Sequence, residues 1–440
     1  MKVLLFNEFK PSITYGGIIY VINNEYKGLA KKGVKIKLIS AKADLRILGE
    51  YENNRQAKRY NDFFEKNKSL AKKYDLLHTH HGNWQGVYYT RLFKILNKKL
   101  KIVASIHDSV SPFWTNETIT SWIDSDAIIV SSDFLKKYLI NYVKENKKLL
   151  TNVFRETVIN HSHSEANKAL LIKNKKLLEK NFSKGLKNLN SKIFAVYPGI
   201  NPERYHFKSK DNKLLLREKL GLPKDSIIIL SALRFYLSRG VLILPLIERA
   251  IKKDKYLKKL NIKILALGAE DVCLEHIKWK DKIKNCSNLI TRYSVPYSKV
   301  NEYFKAADLY LSPGFLESFG VALKEAQSAG LHIIANNVEG VKDRIIMKRC
   351  DLFKHKLFNS KLTGKERDSY FTKLGTFEDK EFKKSMVKFY IESIKNHLKK
   401  GNLDNYPLSK ELINIEKSLT WDNHFDNLIK IFKKISAGKE

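Results

Sequence analysis

Residues Leu311–Ala335 (LSPGFLESFGVALKEAQSAGLHIIA) constrain the fold of this chain more than any other stretch. Asp308–Ser312 is short and apolar, as a buried strand should be, and Pro313-Gly314 breaks it. Val321–Ala329 spaces its apolar residues as a helix does, Gly330 stops it, and His332–Ala335 reads as the next strand. A strand, a glycine-bearing turn, a helix and a second strand in so few residues imply a parallel α/β sheet. The turn would deliver backbone N–H groups to a helix start, which is a natural seat for phosphate. Glu317 falls in that turn and Glu325 about one turn into the helix. Two carboxylates beside N–H donors suit a ligand with hydroxyls and a diphosphate. The same spacing also fits an ordinary αβ unit with two solvated glutamates.

A chain of 440 residues, 43% hydrophobic, predicts two domains of about 200 residues with real cores. Cys273, Cys286 and Cys350 have no metal-ligand spacing and cannot form a disulfide framework, so a reducing cytoplasm is expected. No apolar run reaches bilayer length, and the apolar opening Met1–Phe6 is too short for a signal peptide. The formal net charge of +36 implies an anionic partner. Because lysines far outnumber arginines and run along the whole chain, a general compositional bias explains the charge equally well.

The first half opens with a strand, Lys2–Asn7, then Tyr15-Gly16-Gly17, a helix over Ile18–Lys32 and an alternating strand over Val34–Ser40. This is a βαβ unit without the G-x-G-x-x-G fingerprint, although Gly16-Gly17 would let backbone approach a phosphate. Further strands are expected at Asp75–His78, Lys101–Ile106 and Asp126–Val130. His107 follows the second of these, at the carboxyl end of a strand, where open α/β sheets bind ligands. His78, His80 and His81 invite a zinc reading, but no third ligand is spaced to support one, and strand-end packing is the preferred reading. Asp124-Ser125-Asp126 leads straight into the apolar run AIIV and reads as a helix-to-strand turn. Between Lys136 and Lys192 there are 14 Lys/Arg against four Glu, interleaved with Leu and Ile. Such a basic amphipathic segment suits an anionic membrane face or, equally, an exposed helical hairpin with solvated lysines.

Val196–Asn201 (VYPGIN) marks a boundary. Beyond it, Ser226–Leu233 and Lys263–Gly268 read as buried strands, and Arg234 and Arg239 stand at the end of the first, with Gly240 opening a helix. Two guanidiniums at the mouth of a parallel sheet can grip a diphosphate through charge-assisted bonds.

These segments together resemble the GT-B fold retaining glycosyltransferases of the family-4-like (group 1) type. The matching features, in order, are the KVLLFN strand with Gly16-Gly17, His107-Asp108, Pro198-Gly199-Ile200-Asn201, Arg234 to Gly240, Glu317 to Glu325, and Trp421-Asp422 before the last helix. The resemblance implies two Rossmann-like domains facing a cleft: residues 1–200 on the acceptor side, and residues 201–419 for the donor. The basic excursion 136–192 belongs to the first, and a C-terminal helix, 420–440, crosses back to it.

The same resemblance implies the site. Arg234 and Arg239 would bind the donor diphosphate, Gly16 and Gly17 would approach it, and Glu325 would hold the ribose. Glu317 would contact the transferred sugar, with the N–H groups of Phe319 and Gly320 nearby and Val321 beside the nucleotide. His107 would sit near the anomeric carbon, and Tyr293, in the loop before a helix at Ser298–Ala306, would lie by the base. No metal or cofactor is expected; the substrate would be a UDP- or GDP-linked sugar. The sequence departs from the family pattern at Arg239, where lysine is usual, and in the run Asn336-Asn337-Val338-Glu339-Gly340, where glycines are usual.

The expected function is transfer of a hexose to an acceptor hydroxyl, with a lipid or lipid-linked glycan as the acceptor at an anionic membrane face. The location would be cytoplasmic, with peripheral membrane attachment. A nucleic-acid-binding protein on the same scaffold and a nucleotide-sugar epimerase are the alternatives. Nucleic acid is disfavoured because no aromatic-basic recognition motif accompanies the charge.

Overall fold

The computed structural model describes residues 1–9, 17–43, 50–80, 84–107, 116–160, 164–206, 210–233, 235, 239–268, 281–317, 319–338, 341, 345, 349–355, 358, 379–401 and 410–437. Gly16 and Arg234 lie outside the described residues, as do Asp108, His81 and most of 347–376. The chain divides into two compact units, Met1–Gly199 with Trp421–Glu440, and Ile200–Thr420.

The first unit is built from β1 (Lys2–Phe9), α1 (Gly17–Lys31), β2 (Lys35–Ala43), α2 (Glu50–Asn67), β3 (Leu76–His80), α3 (Trp84–Leu96), β4 (Lys101–Ile106), α4 (Asn116–Asp124) and β5 (Ala127–Val130). Five helices follow, α5 (Asp133–Glu145), α6 (Lys147–Asn160), α7 (Glu165–Lys173), α8 (Lys175–Lys187) and α9 (Leu189–Lys192), before β6 (Ile193–Ala195). The sheet runs β2-β1-β3-β4-β5-β6 with every pair parallel. Its strand order reverses between β1 and β3. In such sheets ligands bind beyond the carboxyl ends of the strands at that reversal.

The basic segment is not an appended hairpin. Leu139, Val143, Leu150, Phe154, Val158, Leu171, Leu178 and Phe182 bury the apolar faces of α5–α8 in the core of the unit, leaving most of their lysines outward. Lys192, counted among those cations, is instead buried. Its ammonium donates to the carbonyls of Ile123 and Ser125 at the end of α4, and burial pushes it down to about 8. Asp124 and Asp126 form the turn expected of them. Asp124 pairs with Arg91 at 2.7 Å, and Asp126 accepts from Lys94 at 2.9 Å and from the Ile102 N–H.

The second unit comprises α10 (Lys210–Lys219), β7 (Ile227–Ala232), α11 (Leu244–Lys253), β8 (Ile262–Gly268), β9 (Leu289–Tyr293), α12 (Tyr297–Ala306), β10 (Leu309–Ser312), α13 (Val321–Ser328), β11 (His332–Asn336), β12 (Cys350–Phe353), α14 (Lys380–Lys399) and α15 (Lys410–Ser418). Its parallel sheet runs β12-β11-β10-β7-β8-β9, so the reversal lies between β10 and β7. Both sheets are therefore of the Rossmann type.

The chain ends in α16 (Trp421–Ser436), which belongs to the first unit. Trp421, His424, Phe425, Leu428, Ile431 and Phe432 recur at three- and four-residue steps and are buried, as one helix face requires. The close fit to α1 depends on Gly28, since a Cβ there would sit 2.0 Å from the Phe425 ring. His424 reaches through this contact to Glu25 on α1, at 2.9 Å.

Candidate active site

In the second unit the loop after β7 meets the loop after β10, at the reversal of strand order. Gly240 makes this possible. It is left-handed (φ 71°), and a Cβ on it would stand 2.1 Å from the Pro313 carbonyl oxygen. Arg239 is thereby carried to the second loop, where its Nη1 donates to the Leu316 carbonyl at 2.8 Å and to Glu317 Oε2 at 2.9 Å. The other oxygen of Glu317 accepts the N–H of Gly320 at 2.8 Å, just ahead of α13. Gly320 is also left-handed (φ 74°) and turns the chain into Val321, the first residue of that helix. Phe319 is buried beside it. Arg239 and Glu317 thus form one ion pair at a helix start, and the Gly320 N–H is engaged by Glu317 in this state.

Glu325 lies on the buried side of α13. Its Oε1 accepts from the hydroxyls of Tyr205, at 2.5 Å, and Tyr297, at 2.9 Å. Burial raises the Glu325 carboxyl above its ordinary range, against the opposing pull of the two tyrosines. Neither tyrosine was expected at the site; Tyr205 sits just past the domain boundary and Tyr297 opens α12. Tyr293 ends strand β9 rather than standing in a loop, and its ring lies edge-on to Phe235 at 5.4 Å.

Asn336, a departure from the family pattern, also holds the loop after β10. Its side chain is buried and donates to the carbonyls of Pro313, at 2.9 Å, and Gly314, at 3.1 Å, while Tyr390 of α14 donates to its oxygen at 2.8 Å. At the end of β11, where the family pattern usually has glycine, this asparagine anchors the β10 loop. A lone Asn at a strand end gives no such signal in sequence.

In the first unit a second polar cluster occupies the reversal between β1 and β3. Strand alternation puts His78 and His80 on one face of β3, and Glu25 of α1 meets them there. All three are buried. Glu25 Oε2 stands 3.0 Å from His80 Nε2 and 3.5 Å from His78 Nδ1. These three ligand atoms lie within 4.8 Å of one another, so the third group that sequence spacing lacked is supplied by a helix. The outer atoms are engaged as well. His78 Nε2 contacts Ser105 Oγ at 2.7 Å, and His80 Nδ1 lies 2.6 Å from Nε2 of His107. Burial alone would raise the Glu25 carboxyl, but the imidazoles of His80 and His78, with the His424 hydrogen bond, hold it well below the usual range. Burial pushes His107 down to about 3, so its ring is neutral at physiological pH. Gly17 begins α1.

Residues 15–150 match the family described as Glycosyltransferase Family 4, and residues 212–355 match Glycosyl transferases group 1. Among curated proteins the chain is similar to an uncharacterized glycosyltransferase of Methanocaldococcus jannaschii, 26% identical over 162 residues, covering 35% of this chain and 38% of that protein. It is also similar to D-inositol 3-phosphate glycosyltransferase of Streptomyces avermitilis, 26% identical over 159 residues, covering 34% and 33%. These matches span about a third of the length of those relatives. Solved structures with the same fold include sucrose-phosphate synthase from Thermosynechococcus elongatus, at TM-score 0.63 and 13% identity over 100% of both chains. Another is Anabaena HepE, in complex with UDP and glucose, at TM-score 0.56 and 12% identity over 99% of this chain and 100% of that one.

Proposed function

The chain belongs to the GT-B glycosyltransferases, joining a Family 4 segment to a group 1 segment, and from that premise we propose that it transfers a hexose from a nucleotide-diphosphate sugar to an acceptor hydroxyl. The observation that carries the reading is the meeting of the β7 and β10 loops, which sets the Arg239–Glu317 pair beside the start of α13. A guanidinium and a helix N-terminus both favour the negative charge that grows on a departing diphosphate. Glu325, oriented by Tyr205 and Tyr297, takes the ribose hydroxyls; Glu317 faces the sugar; His107 recognises a sugar or acceptor hydroxyl. Retention of configuration follows the likeness to family-4-type enzymes, and activity is expected to persist in EDTA.

Turnover measures the diphosphate role. Removing a preorganised charge partner of this kind commonly costs about 100-fold or more in kcat, and Arg239→Met is expected to show that loss in a donor-hydrolysis assay. Unchanged turnover would remove Arg239 from the site. For Glu325→Gln the expectation is different: donor KM rises roughly tenfold, the loss of about one good hydrogen bond to a charged group, while kcat changes less. Proton NMR of the product's anomeric centre then decides retention.

The acceptor we propose is a lipid or lipid-linked glycan at an anionic membrane face. Outward lysines on α5–α8 support it, together with the exposed Leu149 and Ile172 on the same helices. No helix among the described residues is long and apolar enough to cross a membrane. Each cation near an anionic surface contributes about 1 kcal/mol, so several suffice for reversible attachment. Sedimentation with anionic vesicles at low salt should exceed that with neutral vesicles at least tenfold; equal recovery would sink this acceptor.

A further inference from the structure

We propose that Glu25, His78 and His80 bind a zinc ion that clamps α1 to β3 inside the first unit. The site is distinct from the donor loops of the second unit, and it stands whether or not the transferase reading holds.

Three atoms carry the inference. Glu25 Oε2, His78 Nδ1 and His80 Nε2 are all buried, and none of them has a hydrogen-bond partner. A buried polar atom left unmet is costly, and here the cost falls three times in one place. The three atoms converge, all within 4.8 Å of one another. A single cation would meet all of them.

The spacing suits a small tetrahedral ion. Two ligand atoms at ordinary zinc bond lengths stand about 3.3–3.4 Å apart. Glu25 Oε2 lies 3.0 Å from His80 Nε2 and 3.5 Å from His78 Nδ1, distances that bracket that edge. Two imidazoles with one carboxylate form a donor set that suits zinc, whereas magnesium and calcium take oxygen shells.

The outward atoms of the same side chains are engaged, as the far sides of metal ligands should be. His78 Nε2 meets Ser105 Oγ at 2.7 Å, and His80 Nδ1 meets His107 Nε2 at 2.6 Å. Glu25 Oε1 accepts from His424 Nε2 at 2.9 Å. Strand β4, the residue that follows it and the last helix thus brace one ligand each. The ion also gives the residue types a reason. Glu25 occupies the apolar side of α1, between Ile22 and Leu29, where a carboxylate needs a strong partner. Strand alternation turns both histidines to the face that meets it. The ion is a clamp on the fold, and a buried ion is shielded from chelator, so transfer that persists in EDTA is compatible with it.

The test is metal analysis of the full-length protein purified without a histidine tag, with zinc affinity measured by competition against a chromophoric chelator. The expected result is about one zinc ion per chain. In His78→Gln and in Glu25→Gln the affinity should fall by about 100-fold or more, at least the cost of losing an outer partner. His206→Gln, which changes a partly exposed histidine of the second unit, should keep the zinc. Where the protein purifies without metal, zinc chloride should raise the melting temperature of the parent and leave that of His78→Gln unchanged. A parent that neither holds zinc nor is stabilised by it overturns the site, as does zinc retained in full by both variants. If the variants do not fold, X-ray absorption at the zinc edge of the parent decides: imidazole with oxygen supports the site, and sulfur in the shell overturns it.

Discussion

Glu25→Ala is expected to cost about 3–5 kcal/mol of unfolding free energy, the penalty of leaving a buried charge without its partner. The carboxylate is buried and sits between His424 Nε2 at 2.9 Å and His80 Nε2 at 3.0 Å, so its removal orphans both rings at once. It also leaves His424 Nε2 without its carboxylate partner at the point where α16 packs on α1. Denaturant unfolding of the variant should show the loss, and the first unit should open before the second. Glu25→Gln keeps the shape and one acceptor, and should lose about half as much. A stability within 1 kcal/mol of the parent for Glu25→Ala would mean that the buried ion pair is absent, since surface-type pairs cost no more than that.

Gly240→Ala ranks second. At φ 71° a Cβ costs about 1–2 kcal/mol in the left-handed region alone. Here it would also stand 2.1 Å from a backbone oxygen, that of Pro313, so the two loops must separate. The combined loss is expected to be about 3 kcal/mol or more in stability. Because Arg239 is the adjacent residue, its 2.9 Å contact with Glu317 should fail too. The variant is thus expected to lose donor-dependent thermal stabilisation even at temperatures where it is folded. Gly33, equally left-handed (φ 80°) but with nothing within 4 Å of its added Cβ, is the control: Gly33→Ala should show the strain cost without the loss of donor binding.

The architecture was legible because it is local. Leu311–Ala335 announces strand, turn and helix through its own glycines, and in the structure Gly320 and Gly330, which bound the helix, are both left-handed. The strands at Lys101–Ile106 and His332–Asn336, buried on both faces, are apolar at their centres without strict alternation, as parallel sheets demand. What could not be seen depends on distance along the chain. Glu25 meets His80 across 55 residues and His424 across 399, and no spacing rule connects them. A glutamate on the apolar face of α1 was the one available signal, and it was overlooked. Tyr205 and Tyr297 escaped for the same reason, because each looks like a core aromatic until its hydroxyl is placed on Glu325. Lys192 was misjudged because charge counting treats every lysine as solvated, whereas two helix-end carbonyls had claimed this one.

The meeting of the β7 and β10 loops is proposed as a nucleotide-sugar donor site. Thermal shift of the full chain against a panel of nucleotide sugars tests it most directly, with Arg239→Met and Glu325→Gln run in parallel. At ligand concentrations of 100 times Kd the stabilisation should be about 2.7 kcal/mol. At least one UDP- or GDP-linked sugar should raise the melting temperature of the parent, and both variants should lose most of that rise. A panel in which no nucleotide sugar stabilises the parent, or in which both variants are stabilised as fully as it is, would mean that these loops hold no donor.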